Sequence, residues 1–144
     1  MEIKKVIQED FPFLRKLYLD VRRDRFTWLD PAALREEDFD VDTAGEDIYG
    51  AWVEGELAGF ITVWAPDRFI HLLFVGSKFR GRRIGTELLR TAAQIYGLPL
   101  TLKCVKKNRP AVEFYLAYGW TIADEAESPE GTYYLMRWDA LRKC

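Results

Sequence analysis

The sequence predicts a single α/β domain built on a mixed sheet. Its 144 residues provide enough chain for one hydrophobic core. Apolar residues make up 49% of the chain and aromatic residues 15%, which excludes a disordered protein. Strand-like and helix-like apolar periods alternate along the chain, without internal repeats or linkers. We therefore expect one domain over residues 1–144.

The N-terminal third predicts one strand, one long helix and one short helix. Residues 2–7 have the pattern of a strand, and a helical period then runs from Asp10, the expected N-cap, to about Arg25. Pro31 begins a short second helix. The acidic stretch that follows, residues 36–47, is interpreted as solvated surface.

The centre of the chain predicts three strands. Residues 48–53 and 57–64 have the pattern of a hairpin whose turn contains Gly55. Residues 69–75 are apolar on both faces, which predicts a central strand that is fully covered.

The C-terminal half predicts two helices and three strands. One helix runs from Ile84 to about Gly97, and the other is capped by Asn108 and ends at Gly119. Strands are expected at residues 100–104, 120–123 and 132–138, with the last two paired antiparallel.

Charge and cysteine content exclude several classes of partner. A net charge of −2 and a pI of about 5.5 argue against nucleic-acid binding. Cys104, Cys144 and a single histidine provide neither a disulfide framework nor a metal site. The N-terminus lacks the apolar run of a signal peptide, and no segment reaches membrane-spanning length. We expect a cytoplasmic protein without a membrane partner.

The segment Val-Gly-Ser-Lys-Phe-Arg-Gly-Arg-Arg-Ile-Gly-Thr, residues 75–86, predicts a phosphate-binding turn. It leads from a strand into a helix, whose first N–H groups are unpaired and carry partial positive charge. Gly81 permits a tight turn, Gly85 removes a side chain near the ligand, and the arginines add forked donors. The segment lacks the ending of a Walker A loop and the glycine spacing of the dinucleotide fingerprint.

Two motifs resemble those of the GCN5-related N-acetyltransferases, the GNAT superfamily. Arg-Gly-Arg-Arg-Ile-Gly, residues 80–85, resembles the family's Arg/Gln-x-x-Gly-x-Gly/Ala motif. Asn-Arg-Pro-Ala-Val-Glu-Phe-Tyr-Leu-Ala-Tyr-Gly-Trp, residues 108–120, resembles Asn-x-x-Ala-x-x-Phe-Tyr-x-x-x-Gly-Phe. Arg83 replaces the first motif glycine, and Trp120 replaces the common phenylalanine.

The resemblance spans residues 48–138 and implies a small bacterial-type member of the superfamily. The fold it implies is a single-domain GNAT (acyl-CoA N-acyltransferase) fold. This has a mixed, mostly antiparallel central sheet of about six to seven strands, with a splayed strand pair and about four flanking helices.

The resemblance also implies acetyl-CoA as co-substrate and no metal. The residues that it assigns to acetyl-CoA lie on the strand end, the basic turn and the second motif: Leu73, Phe74, Val75, Arg80, Gly81, Arg82, Arg83, Ile84, Gly85, Thr86, Asn108 and Tyr115. At Arg83 we expect a negative φ, with the backbone amide still available to phosphate.

The reaction implied is direct attack of an amine on the thioester, without an acyl-enzyme. By resemblance, Tyr115 is the general acid, although aromatic residues at helical spacing are also typical of a core. His71 is either the general base or a core histidine, and both interpretations stay open. Desolvation on a buried strand would keep its imidazole neutral, which suits a base.

The acceptor is less determined than the cofactor. Residues 22–47 and a loop at 124–131 are expected to select the acceptor, which is either a small-molecule amine or a protein amine. The protein is expected to be a monomer or a homodimer. Phe26 and Trp28 either form a wall for a cationic amine or pack the helices on the sheet. The alternative function is a non-catalytic acyl-CoA-binding sensor or interaction module of the same fold.

Overall fold

A seven-stranded mixed sheet organises the protein. The computed structural model describes residues 1–140, so Cys144 lies outside the described residues. The strands are β1 (Glu2–Lys5), β2 (Asp47–Val53), β3 (Glu56–Trp64), β4 (Phe69–Val75), β5 (Leu100–Val105), β6 (Thr121–Ser128) and β7 (Gly131–Trp138). The helices are α1 (Phe11–Arg25), α2 (Asp38–Asp42), α3 (Ile84–Tyr96) and α4 (Arg109–Ala117).

The strand order is β1-β2-β3-β4-β5-β7-β6, and every neighbouring pair is antiparallel except β4 and β5. The parallel pair is joined at only two positions, Phe69 with Thr101 and Ile70 with Leu102. Beyond these positions the two strands separate. The predicted mixed sheet with a splayed strand pair is therefore confirmed.

Two hydrophobic clusters cover the two faces of the sheet. Phe60 packs with the α1 and α2 residues Leu14, Tyr18 and Phe39, whereas the next residue, Ile61, packs with α3. Successive side chains of a strand point to opposite faces, which explains this division. Burial of each such side chain contributes roughly 1.5–3 kcal/mol.

The acidic stretch is more structured than the sequence suggested. It contains α2, whose carboxylates bind α1: Asp38 pairs with Arg22 at 3.1 Å and Asp40 with Arg15 at 2.8 Å. Asp42 accepts a hydrogen bond of 2.7 Å from the Tyr18 hydroxyl. Within α2, Asp40 and Asp42 are exposed, as expected of a solvated surface, but the buried Phe39 and these contacts also hold the helix against α1.

Several predicted boundaries and caps also need correction. The first strand ends at Lys5. Asp10 occupies the predicted N-cap of α1, but its carboxylate accepts from the Ile7 N–H and not from the helix. Asn108 occupies the N-cap of α4 without a side-chain hydrogen bond to the helix. β4 is central but not fully covered, because the separation from β5 leaves much of it half-buried.

Candidate active site

A groove of about 1160 Å³ opens where β4 and β5 separate. The predicted site residues that line it are His71, Leu73, Phe74, Val75, Arg80, Gly81, Arg83, Ile84, Gly85, Thr86, Asn108 and Tyr115. Arg82 is not among the lining residues, because its guanidinium lies over the Phe79 ring at 5.6 Å from the centroid. Folding thus brings together twelve of the thirteen residues that the sequence pointed to.

The basic turn between β4 and α3 has two left-handed residues. Gly81 has a φ of +73°, as its expected role in a tight turn requires. Arg83, the N-cap of α3, has a φ of +62°. The expectation of a negative φ at this position is wrong: the backbone keeps the left-handed conformation that suits the glycine of the motif, and an arginine adopts it at an energetic cost.

The donors of this turn fit a phosphorylated ligand. α3 begins at Ile84, and its first turn lines the groove together with Arg80 and Arg83, so unpaired N–H groups and guanidinium groups lie close together. A Cβ added at Gly85 would lie 3.6 Å from Phe114 Cζ and 3.8 Å from Val75 Cγ2. The absent side chain therefore leaves space between these two groove residues, beside the amides that would bind phosphate.

His71 is the extra residue of a β-bulge in β4. Thr62 of β3 pairs with Leu72 and Val63 pairs with Ile70, which leaves His71 unpaired. The Leu72 N–H instead donates to Thr62 Oγ1 at 3.1 Å. The His71 side chain is 38% exposed and lines the groove, so the expectation of a desolvated histidine is wrong. Bulges commonly re-aim side chains beside active sites.

The His71 ring contacts a buried carboxylate. Its Nδ1 lies 2.7 Å from Glu46 Oε2, and the Glu46 side chain is only 9% exposed. The sequence placed Glu46 in the acidic stretch, 25 residues from His71, and no local pattern connects the two. Only the pairing of β2, β3 and β4 brings them together.

Tyr115 lines the groove and lies within an aromatic cluster. Its ring packs edge-on against Phe114 at 5.3 Å and Trp120 at 5.5 Å between centroids. The residue is buried, as is typical of a core aromatic residue, and it also lines the groove. Burial, with a smaller effect of Cys104, raises the pKa of the Tyr115 hydroxyl, so the phenol keeps its proton at neutral pH.

One part of the groove lining combines aromatic and acidic groups. Phe26 stacks on Trp28 at 4.9 Å and packs against Phe74 at 5.5 Å, so these rings serve packing and line the groove at once. The Trp28 indole donates to Glu130 of the β6–β7 turn. The predicted loop at 124–131 is mostly strand, since β6 extends to Ser128 and β7 begins at Gly131.

Other groove residues were not named as individual site residues by the sequence, although Arg22, Arg25 and Asp42 fall in the segment 22–47 expected to select the acceptor. They come from α1, α2, β5 and α4: Tyr18, Arg22, Arg25, Asp42, Lys103, Cys104 and Phe114. An apolar period identifies the buried face of an element, but it does not show where two strands separate. Lys106, Lys107 and Arg109 are absent from the groove lining.

Two further classes of site were searched for among residues 1–140. No group of three His, Cys, Asp or Glu side chains there is arranged to hold a metal ion. No helix within the same range has both the length and the apolarity needed to cross a membrane.

The sheet, the groove and the basic turn together define an acyltransferase-like α/β protein, and sequence comparison gives the family. A family model described as the acetyltransferase (GNAT) family matches residues 6–120. The chain therefore belongs to the GNAT family. The family relationship explains why a basic turn, rather than a Walker A loop, precedes α3.

Two curated relatives match a 96-residue segment. One is the peptidyl-lysine N-acetyltransferase YiaC of Escherichia coli strain K12, which is 33% identical over 63% of this chain and 64% of its own. The other is the 5-NmdU N-acetyltransferase of Pseudomonas phage PaMx11, 31% identical over 63% of this chain and 69% of its own. The match thus spans less than two thirds of the E. coli relative.

Solved structures share the fold at low sequence identity. An N-acetyltransferase from Staphylococcus aureus Mu50 has a TM-score of 0.78 and 16% identity, over 96% of this chain and 100% of its own. The PaiA N-acetyltransferase of Thermoplasma acidophilum, solved in complex with coenzyme A, has a TM-score of 0.71 and 20% identity. The match covers 96% of this chain and 98% of the PaiA chain. These likenesses establish the GNAT fold.

Proposed function

We propose that this protein transfers the acetyl group of acetyl-CoA to a primary amine, by direct attack in a ternary complex. One observation carries the proposal: a single groove joins the basic turn before α3 to His71 and Tyr115. The N-acetyltransferase names of both curated relatives support this reaction class.

Acetyl-CoA would lie along the separated edge of β4. Its phosphates would bind the first amides of α3 with Arg80 and Arg83, and its pantetheine arm would run past Leu73, Phe74 and Val75. The two strands leave each other after Ile70 and Leu102, so backbone groups of β4 beyond that point are free of β5. One such N–H would donate to the thioester carbonyl oxygen as negative charge develops there.

The chemical step needs one proton acceptor and one proton donor. The amine nitrogen attacks the thioester carbon, so a C–N bond forms and the C–S bond breaks. His71 would take the proton that the nitrogen loses, directly or through water. Tyr115 would give its proton to the departing sulfur, and its raised pKa keeps that proton available at neutral pH. The products are an N-acetyl amine and free CoA.

The acceptor would enter at the end of the groove that Phe26, Trp28 and Glu130 line. The E. coli relative is named for peptidyl-lysine and the phage relative for 5-NmdU, so the family relationship alone leaves the acceptor open. Lysine peptides and small amines both present the primary amine that the reaction requires. The acceptor screen therefore includes both.

Calorimetric titration with acetyl-CoA tests the proposal first, with dephospho-CoA and ATP as controls. Selective binding of acetyl-CoA, followed by release of free thiol with an amine panel, is the expected result. Binding without thiol release for any amine would favour the non-catalytic acyl-CoA sensor. Absence of binding would contradict both functions.

A further inference from the structure

We propose that Glu46 is a positioning residue: its buried carboxylate holds the His71 ring with the proton on Nδ1, which makes Nε2 the proton acceptor. The proposal rests on the proposed function, in which His71 accepts the proton of the attacking amine. Its evidence is the place of Glu46 in the fold, its charge environment and the hydrogen-bonding chemistry of the two groups.

Glu46 is held on a well-fixed turn between α2 and β2. Its N–H donates to the Thr43 carbonyl oxygen at 3.0 Å, and the buried Thr43 hydroxyl donates to the Phe39 carbonyl oxygen at 2.7 Å. The neighbouring Gly45 has a φ of +80°, and a Cβ there would lie 3.2 Å from the Trp64 ring. The carboxylate is therefore presented from a turn that packing and hydrogen bonds constrain.

The charge of Glu46 has one partner. Among the described residues, His71 is the only side chain in hydrogen-bond contact with this carboxylate, whereas Lys5 binds the adjacent Asp47. Glu46 Oε1 is buried and has no hydrogen-bond partner within residues 1–140. A buried carboxylate is costly without compensation, so its contact with the imidazole at 2.7 Å is the interaction that stabilises it.

The chemistry of the two groups then fixes the tautomer. An ionised carboxylate only accepts hydrogen bonds, so Nδ1 must donate, and a neutral ring has its lone pair on Nε2. The bulge at His71 directs this ring to the groove. The other charged groups that face the groove from elements packed around β4 are Arg22 and Arg25 of α1, Asp42 of α2 and Lys103 of β5.

Nitrogen-15 NMR of the imidazole tests the pairing directly. His71 is the only histidine of the chain, so its ring signals need no assignment by mutation. We expect the neutral ring of the wild-type protein to be the Nδ1–H tautomer. The Glu46→Gln amide can donate or accept, so this variant should give a mixture of both tautomers. The matched control Glu37→Gln, at a side chain 72% exposed, should keep the wild-type signals.

Steady-state kinetics tests the consequence for turnover. Glu46→Gln should lower kcat roughly tenfold and leave KM for acetyl-CoA unchanged, because the ring loses its orientation while the phosphate site is intact. Glu37→Gln should match the wild type in both constants.

Three results would overturn the proposal. A wild-type ring in the Nε2–H form would mean that Glu46 keeps its own proton and donates it to Nδ1. The same tautomer in the wild type and in Glu46→Gln would show that the Glu46 carboxylate does not determine the tautomer of His71. An unchanged kcat in Glu46→Gln would show that the pairing has no effect on turnover. The wild-type spectrum depends on neither turnover nor a variant, so this test still decides the proposal if acetyl transfer is absent or if Glu46→Gln misfolds.

Discussion

The Trp28 indole donates a hydrogen bond of 3.1 Å to Glu130 Oε1, and thereby joins two segments 102 residues apart in sequence. Trp28 follows α1, whereas Glu130 lies in the turn between β6 and β7. Both side chains line the groove, and Trp28 also stacks on Phe26. This part of the groove wall is thus built from two distant parts of the chain.

Loss of this hydrogen bond should weaken acceptor binding selectively. Trp28→Phe keeps an aromatic ring beside Phe26 but removes the donor, so KM for the amine should rise about fivefold, which corresponds to about 1 kcal/mol. KM for acetyl-CoA should stay constant, because the basic turn is unaffected. Glu127→Gln, on the same hairpin, is the control in steady-state assays. An equal rise in both KM values would contradict this role.

Tyr115→Phe should lower kcat by roughly a hundredfold, since the departing sulfur loses its proton donor. Tyr118→Phe is the matched control, because Tyr118 lies on the same face and stacks on Phe114 without lining the groove. Burial raises the pKa of the Tyr115 hydroxyl, so the wild-type rate should not fall from loss of this proton below about pH 10, the ordinary value for tyrosine. A pH–rate profile that falls at pH 8 in the wild type and not in Tyr115→Phe would exclude the assignment.

Arg83→Gly and Arg83→Ala should differ in stability although both lack the guanidinium. Residue 83 has a φ of +62°, which costs an L-residue about 1 kcal/mol and glycine almost nothing. The free energy of unfolding in urea should therefore be about 1 kcal/mol higher for Arg83→Gly than for Arg83→Ala. Both variants should bind acetyl-CoA more weakly than the wild type. Equal stability of the two variants would mean that the left-handed backbone is not retained.

Asp38→Asn should destabilise the protein at neutral pH more than in acid. The Arg35 N–H, with a smaller effect of the Arg22 guanidinium, lowers the pKa of Asp38. A lowered pKa in the folded state contributes stability above the unfolded value of about 3.9, and this contribution is lost as pH falls through the folded value.

The expected loss for Asp38→Asn is about 1.5 kcal/mol at pH 7, because the buried Arg22 loses a charged partner that is itself partly solvated. Urea denaturation at pH 7 and pH 3 measures the difference from the wild type, which should shrink at pH 3. Asp20→Asn removes an exposed pair with Lys16 and should change stability little at either pH. An equal loss in the free energy of unfolding at both pH values would show that ionisation of Asp38 does not contribute to stability.

Much of the fold follows from the sequence because apolar period and turn chemistry are local properties. β4 and the start of α3 lie where the sequence placed them. The short helix α2 was missed, since five acidic and apolar residues carry too little periodicity to distinguish a helix from a surface loop. It forms because Arg15 and Arg22 of α1 bind its carboxylates, a tertiary effect.

The candidate site was predicted where a motif is contiguous and missed where the site depends on pairing between strands. The basic turn is one segment of chain, so its residues could be identified together. Glu46 meets His71 only through a bulge and the register of neighbouring strands. Arg83 illustrates a third limit. An arginine disfavours a positive φ whereas the motif position favours one, and the sequence alone does not show which of the two preferences determines the backbone.

The short junction between β4 and β5 has a mechanical consequence. β1–β4 and β5–β7 are joined only at Phe69–Thr101 and Ile70–Leu102, and beyond these positions no strand pairing fixes the width of the opening. α3 bears on the first group of strands and α4 on the second, so side-chain packing between these helices sets the spacing. A ligand that hydrogen-bonds to both groups of strands would act as a brace, stiffening the protein most when it is loaded for reaction.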